Sequence, residues 1–203
     1  MSNIAVLNPA LLRRSFQLDT FLETGCFRGD SMALAYAAGF PKVISCDINP
    51  DNVAACRQRF PEADVLEAES TEMLGPRFPE ILPGMGKTLF WLDAHFAILY
   101  GHGETDRNRF PLAEELRLIR DGKPDYIDDV IAFDDLRVIR DPANPRYRQG
   151  ELTGDEAGLY VDITLKELIE PFAASHEATV VHAQEGSVVL LPKSVTARLR
   201  AAS

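Results

Sequence analysis

The chain has 203 residues, 46% of them hydrophobic, and its 31 acidic against 21 basic residues give a net charge of −10. Such an acidic balance argues against a broad nucleic-acid surface, and no apolar run approaches the roughly 20 residues of a membrane helix. The first residues lack the basic and apolar regions of a signal peptide, so we expect a cytoplasmic protein that binds neither nucleic acid nor membrane.

Strand-like patterns recur along the whole chain. Strands are predicted at 19–23, 42–47, 63–67, 88–93 and 129–134, and two further strands at 179–183 and 187–191 have the spacing of a hairpin. Helix signals fill the gaps. Gly39 ends a helix that begins at residues 29–31, Asn49 caps the next helix, and apolar residues at helical spacing follow Pro111. Further on, Thr164 and Glu167 form a capping box.

This alternation predicts the fold class. Five strands separated by helices indicate a mostly parallel sheet with right-handed crossovers. We predict an α/β, Rossmann-like fold with a seven-stranded mostly parallel sheet, helices on both faces and a C-terminal antiparallel hairpin. Residues 1–203 are expected to form a single domain. Two longer segments, 96–110 and 137–160, follow strand ends on the side where open α/β sheets bind ligands.

The first strand and the turn after it carry the clearest functional signal. An apolar run ends in Glu23, turns through Gly25 and Gly29, and is followed by a second strand ending in Asp47. This is the pattern of a nucleotide-cofactor site in an α/β sheet. Phe27 stands where a dinucleotide fingerprint would need another glycine, and a carboxylate at Glu23 would repel a pyrophosphate. S-adenosylmethionine (SAM), which carries an ammonium and a sulfonium, fits this turn better than NAD does.

Several motifs resemble those of class I SAM-dependent methyltransferases along most of the chain. They are E-T-G-C-x-x-G-D-S, L-D-A-H, P-L-x-E-E-L and F-D-D-L-R, and they are similar to a bacterial subgroup with E-T-G-x-x-x-G-D, L-D-A-H and D-D-x-R motifs. The resemblance implies that Glu23 lies near the cofactor ammonium, directly or through water, and that Asp47 binds the ribose. It also implies that Glu69 and Ser70, after the third strand, contact the adenine, with a helix N-cap as the alternative role for Ser70. The cofactor-binding residues implied by the resemblance are Glu23, Gly25, Cys26, Gly29, Asp47, Ile48, Glu69, Ser70 and Asp93.

Acidic residues also follow the fourth and fifth predicted strands. Asp93 ends one strand, and Asp134 and Asp135 end the next. Three carboxylates at one edge repel one another unless they are protonated, separated or bridged by a cation, and oxygen ligands suit Mg²⁺. Similar aspartates bind Mg²⁺ in some sugar and macrolide O-methyltransferases, so we predict a metal site at these three residues. The alternative is that the aspartates only hold loops by hydrogen bonds.

Catalytic and substrate-binding candidates lie close by in the sequence. His95, two residues beyond Asp93, is the best candidate for a general base or a metal ligand, and the two residues form the predicted catalytic pair. Arg137 and His102 lie in the longer segments and are predicted to bind substrate. Four arginines follow the fifth predicted strand, namely Arg137, Arg140, Arg146 and Arg148. Such a cluster suits an anionic substrate such as a phosphorylated or nucleotide-linked sugar. A solvated loop that pairs with nearby acids is the alternative.

The predicted function is methyl transfer from SAM to an oxygen of a small-molecule acceptor. A sugar or other polyol is preferred because a metal site favours vicinal oxygens. Acceptor recognition is expected to come from the two longer segments, from residues 8–16, or from a second subunit of a homo-oligomer. A cofactor-binding or partner-binding module without catalysis is the main alternative. An NAD-dependent oxidoreductase and a metal-dependent hydrolase are weaker alternatives. The hydrolase would leave the glycine turn unexplained.

Overall fold

A computed structural model describes residues 4–95, 110–139, 141, 161–183 and 185–201. Seven strands form one sheet in the order β3-β2-β1-β4-β5-β7-β6. Strands β1 to β5 pair in parallel, and β7 pairs antiparallel with both β5 and β6. The predicted seven-stranded, mostly parallel sheet is therefore confirmed. The strands are β1 (Thr20–Thr24), β2 (Lys42–Asp47), β3 (Asp64–Glu67), β4 (Thr88–Leu92), β5 (Val130–Phe133), β6 (His176–Val181) and β7 (Ser187–Pro192).

One strand boundary differs clearly from the sequence prediction. Strand β6 begins at His176, three residues before the predicted start at Thr179, because His176 pairs with Pro192 of β7. The His176 ring is buried, and its Nε2 atom lies 3.0 Å from the carbonyl oxygen of Asp129. Strand β6 forms the edge of the sheet and His176 is its only buried residue, so the polar residues at its start gave no strand signal.

Helices connect the strands and cover both faces of the sheet. The predicted signals hold: Asn49 caps α3 through its side chain, Gly39 follows α2 with a φ of +83°, and the capping box of Thr164 and Glu167 forms. None of the described helices is long and apolar enough to span a membrane. The α-helices are α1 (Pro9–Phe16), α2 (Asp30–Ala37), α3 (Pro50–Arg59), α4 (Ser70–Leu74), α5 (Phe78–Ile81), α6 (Leu112–Gly122), α7 (Leu165–Ile169) and α8 (Lys193–Ala201).

The central strands are buried on both faces, which is why they read as continuous apolar runs. Successive residues of β1 point to opposite faces, so Phe21 joins one apolar cluster and Leu22 the other. The strand order reverses direction between β1 and β4, and open α/β sheets bind ligands beyond such a point. We call this border the carboxyl edge; it is defined by Thr24, Asp47, Glu67, Asp93 and Asp134, which lie at or directly after the ends of the parallel strands.

Candidate functional site

The turn after β1 packs tightly against its neighbours at the carboxyl edge. At Gly25, φ is +84° and a Cβ atom would lie 2.9 Å from the carbonyl oxygen of Asp93. At Gly29, φ is +74° and a Cβ atom would lie 2.7 Å from the ring of Phe60. Both positions therefore need glycine for backbone conformation and for space. Phe27 also adopts a positive φ, of 42°, so the backbone of this turn follows a path that usually favours glycine.

Glu23 lies in β1 next to this turn and is fully buried. Its Oε1 atom accepts a hydrogen bond from Ser45 Oγ at 3.1 Å, and its Oε2 atom accepts a short one from Ser31 Oγ. Burial raises the pKa of Glu23 to about 8, although the two hydroxyl groups lower it. At pH 7 a proton therefore largely neutralises the negative charge that the sequence led us to expect. Its contact with the cofactor ammonium stays a prediction.

Asp47 ends β2 and faces the same turn. Its Oδ2 atom accepts from the backbone N–H of Phe27 at 2.9 Å and from Asn52 Nδ2 at 3.2 Å, and Oδ1 accepts from a backbone N–H two residues later at 2.8 Å. The buried thiol of Cys26 lies 3.8 Å from Oδ2. Ile48 follows and is half-buried. These bonds fix the orientation of the Asp47 carboxylate, which keeps lone pairs for further donors.

The two predicted adenine contacts lie after β3. Glu69 is exposed and occupies the N-cap position of α4, while Ser70 is its first helical residue and is buried. The N-cap alternative for Ser70 is therefore wrong by one residue, because Glu69 already has the extended backbone of a cap. The Ser70 side chain instead faces Glu115 of α6.

Three polar side chains meet beyond β4 and β5. Asp93, His95 and Asp135 each offer one ligand atom, and these atoms lie within 4.8 Å of one another. Asp134 has a different neighbour, since its Oδ1 atom accepts a hydrogen bond from Ser187 Oγ at 2.9 Å. Within the described residues, the geometry thus groups His95, rather than Asp134, with the other two aspartates. The metal role of Asp134 stays a prediction.

Burial and neighbouring charges shift the pKa values of these three side chains in different directions. Burial, with repulsion from Asp134 and Asp135, raises the pKa of Asp93 well above its usual range. Burial alone would raise the pKa of Asp135 as well, but the hydrogen bond and charge of His95, with Arg137, lower it. His95 Nδ1 lies 3.3 Å from Asp135 Oδ2, and this contact outweighs burial and raises the pKa of His95. An ionised Asp135 therefore lies beside the imidazole, whereas the surroundings of the nearby Asp93 disfavour its ionised form.

The predicted substrate-binding residues are only partly described. Arg137 follows β5, and its Nε atom lies 3.5 Å from Asp135 Oδ1 with 30% of the side chain exposed. Its guanidinium group therefore already interacts with an acid at the carboxyl edge. Its contact with an anionic substrate stays a prediction. The other candidates, His102, Arg140, Arg146 and Arg148, lie outside the described residues.

Sequence reasoning missed Glu115 as a member of this site. Helix α6 carries it on the face formed by Leu112, Leu116 and Ile119, and the residue is fully buried. Burial raises its pKa, while His95 and the hydroxyls of the neighbouring serine and threonine lower it. A carboxyl at helical spacing among leucines in the P-L-x-E-E-L motif was the signal that could have identified it.

Comparisons with known proteins address the fold. No family model matches the chain, and no curated protein sequence matches it. Among solved structures, the O-methyltransferase TomG from Streptomyces achromogenes, in complex with SAM, is similar over 95% of this chain and 81% of its own, with 17% identity and a TM-score of 0.58. The SAH-bound methyltransferase PaMTH1 from Podospora anserina matches over 95% and 80%, with 15% identity and a TM-score of 0.57.

A third solved structure agrees with these two. The O-methyltransferase from Bacillus cereus, in complex with SAH, matches over 95% of this chain and 82% of its own, with 16% identity and a TM-score of 0.56. This chain has the fold of class I methyltransferases. At such low identities the likeness establishes the fold, and the site must be judged from its own residues.

The residues at the carboxyl edge fit SAM. Gly25 lets the turn after β1 pack directly against the backbone at the end of β4, which brings the ends of these two strands together at the carboxyl edge. Asp47, half-buried and fixed by backbone N–H groups, is a suitable acceptor for ribose hydroxyls. Phe27 fills the position where a pyrophosphate would need another glycine. The donor and acceptor set therefore suits a nucleoside without a pyrophosphate.

Proposed function

We propose that this chain transfers a methyl group from SAM to a hydroxyl oxygen of a small molecule, with a sugar or another polyol as the preferred acceptor. The observation that carries the proposal is the convergence of the glycine turn, Asp47 and the His95–Asp135 pair at the carboxyl edge of a methyltransferase fold. SAM supplies an electrophilic methyl group on a sulfonium. The remaining chemistry is alignment of the acceptor and removal of its proton.

Cofactor binding is assigned to the ends of β1, β2 and β3. The backbone at Gly25 and Gly29 would receive the amino-acid part of the cofactor, with Glu23 beneath it. Asp47 would accept hydrogen bonds from the ribose. The segment around Ser70 would contact the adenine. A cationic cofactor near Glu23 lowers the pKa of that carboxyl, since an opposite charge favours the ionised form.

Deprotonation of the acceptor is assigned to His95. The ionised Asp135 faces Nδ1, so a neutral imidazole keeps its proton on Nδ1 and presents Nε2 as the basic nitrogen. The ring is almost fully buried and packs 4.4 Å, between centroids, from the ring of Phe110. Packing and the Asp135 contact together fix the ring orientation, which is what a general base requires.

A divalent cation fits the same group. Two carboxylates and one imidazole within 4.8 Å of one another supply ligands for Mg²⁺ through oxygen, and the imidazole extends the choice to Mn²⁺. Asp93 and Asp135 would hold the ion, and Asp134 lies one residue away. A bound ion would orient two vicinal hydroxyls and lower the pKa of one of them. A polyol acceptor is proposed for this reason.

Calorimetric titration of SAM tests the cofactor assignment. The wild-type chain is compared with Asp47→Ala, with and without Mg²⁺, and Asp51→Ala serves as the control because Asp51 is an exposed acid in the same segment. We expect micromolar binding by the wild type and by Asp51→Ala, and a loss of about tenfold or more in Asp47→Ala, equivalent to roughly 1.4 kcal/mol. Circular dichroism confirms that each variant is folded.

The outcomes separate the alternatives. Equal SAM affinity in wild type and Asp47→Ala would remove the ribose assignment, and no binding by the wild type would refute the methyltransferase proposal. Binding without turnover across a broad panel of hydroxyl acceptors would favour a non-catalytic module. Titration of Mg²⁺ or Mn²⁺ alone into wild type and Asp93→Asn tests the metal. If neither Mg²⁺ nor Mn²⁺ binds to the wild type, the proposed metal site is contradicted.

A further inference from the structure

Glu115 is a buried acid without an evident structural role. It lies in the first turns of α6 at the spacing of the core residues Leu112, Leu116 and Ile119, where an apolar side chain would pack better. Its side chain is fully buried, and none of the described residues makes a complete hydrogen bond to either carboxyl oxygen. Native proteins rarely leave such groups unsatisfied, because the desolvation cost destabilises the fold.

The surroundings of Glu115 belong to the carboxyl edge. The hydroxyls of Ser70, at the start of α4, and of Thr24, at the end of β1, lie close enough to lower its pKa, although neither completes a hydrogen bond. His95, which follows β4, acts on the same carboxyl by charge. Cys46, at the end of β2, is also near enough to interact with it electrostatically. The Glu115 carboxyl thus lies near side chains from four segments, and these segments meet at the proposed cofactor site.

Two of these neighbours have roles in the proposed function. His95 is the proposed base, and Ser70 is the proposed adenine contact. Asp135 approaches His95 from β5, so the imidazole interacts with acids from two different elements. A carboxyl group offers two oxygens for hydrogen bonding, which suits a group placed among hydroxyls and an imidazole.

We propose that Glu115 is a positioning residue of the carboxyl edge, whose carboxyl group orients His95 and Ser70 for the acceptor and the cofactor. The proposal rests on the proposed function for what those two residues do. Glu115 itself touches neither reactant and acts through its neighbours. Burial of the Glu115 carboxyl lowers the free energy of unfolding, and residues that destabilise the fold in this way are common at functional sites.

Three variants test this role. Glu115→Leu removes the polar group and keeps an apolar side chain of similar size, Glu115→Gln keeps the shape and the ability to hydrogen-bond, and Glu114→Gln is the matched control. Glu114 is the preceding residue of the same helix and lies on the surface, paired with Arg117 at 2.6 Å. Each variant is measured by urea unfolding, by SAM titration, and by the nitrogen chemical shifts of the His95 ring at one fixed pH, assigned with His95→Gln.

The expected results distinguish positioning from packing. Glu115→Leu should unfold at the same or a higher urea concentration than the wild type, bind SAM about three- to tenfold more weakly, and show shifted His95 ring signals. Glu115→Gln should recover most of the SAM affinity, and Glu114→Gln should match the wild type. Unchanged SAM affinity with unmoved His95 signals in Glu115→Leu would overturn the proposal.

Two other outcomes are also decisive. If Glu115→Leu does not fold, Glu115→Met, whose unbranched apolar side chain is close in size to glutamate, replaces it: shifted His95 ring signals support positioning, and wild-type signals overturn it. If the wild-type chain does not bind SAM, the proposed function fails, and the His95 signals in the two Glu115 variants still test the positioning role.

Discussion

Replacing Glu23 by glutamine should change how the stability of this protein depends on pH. The carboxyl is fully buried, and its pKa is raised from 4.5 to about 8. Between these values the native state holds a proton that the unfolded state has released, so the free energy of unfolding falls as the pH rises. Stability from this group is fully present below about pH 4.5 and is lost progressively up to about pH 8.

The size of the effect follows from the same pKa displacement. For one group displaced from 4.5 to about 8, linkage gives a loss of roughly 2.5 kcal/mol between pH 5 and pH 7. Glu23→Gln removes this titration and keeps a side chain that can bond to Ser31 and Ser45. Urea unfolding of the wild type and of Glu23→Gln at pH 5 and pH 7 measures this loss of stability. Asp129, whose pKa burial raises to about 7, contributes a similar slope in both, so the difference between the two curves isolates Glu23.

The variant and its ligand provide a further check. If SAM binds with its ammonium near Glu23, binding at pH 7 should release a proton from the wild type and none from Glu23→Gln, which titrations in buffers of different ionisation enthalpy detect. Parallel stability curves for wild type and Glu23→Gln from pH 5 to pH 8 would refute the reasoning, because they would mean that Glu23 is already ionised in the native state.

Two further substitutions test the packing of the sheet ends. Gly25→Ala should lower the free energy of unfolding by roughly 2–3 kcal/mol, since its φ is positive and its Cβ would meet the Asp93 carbonyl oxygen; Gly39→Ala, with a positive φ but ordinary contact distances, should lose only about 1 kcal/mol. Lys123→Met should lower the free energy of unfolding and raise the pKa of the buried Asp129 further, because it removes the ammonium group 2.9 Å away. Urea unfolding measures both, and an additional Asp129→Asn should recover much of the second loss.

The fold and the order of its polar strand ends could be predicted from the sequence. Buried parallel strands read as continuous apolar runs, and the residues that follow them, such as Asp47 and Asp93, mark the carboxyl edge directly. The start of the edge strand β6 was harder to predict, because His176, Glu177 and Ala178 are not typical strand residues and are held in the sheet by pairing with β7.

The finer arrangement of the site could not be read from residue types. Asp134 and Asp135 are adjacent, and their spacing does not show which one meets His95. Asp135 adopts a left-handed backbone with a φ of +58°, and its carboxylate reaches the imidazole while Asp134 bonds to Ser187. Which aspartate meets His95 therefore depends on the left-handed backbone conformation of Asp135. This conformation costs about 1 kcal/mol for a residue other than glycine, and the surrounding contacts hold it in place.

Protonation is the property of this site that sequence reasoning misjudged most. The sequence predicts a negative charge on Glu23, and it allows the three aspartates to be protonated, separated or bridged by a cation. Burial raises the pKa of both Glu23 and Asp93, while Asp135 is kept ionised by His95 and Arg137. Titratable groups whose environments push their pKa values apart are the usual basis for separate roles at one site. Here the ionised Asp135 is the acid that contacts the imidazole, and burial disfavours the ionised forms of Glu23 and Asp93. A nearby sulfonium, ammonium or divalent cation would stabilise the ionised forms of these two acids, whereas a pyrophosphate would not.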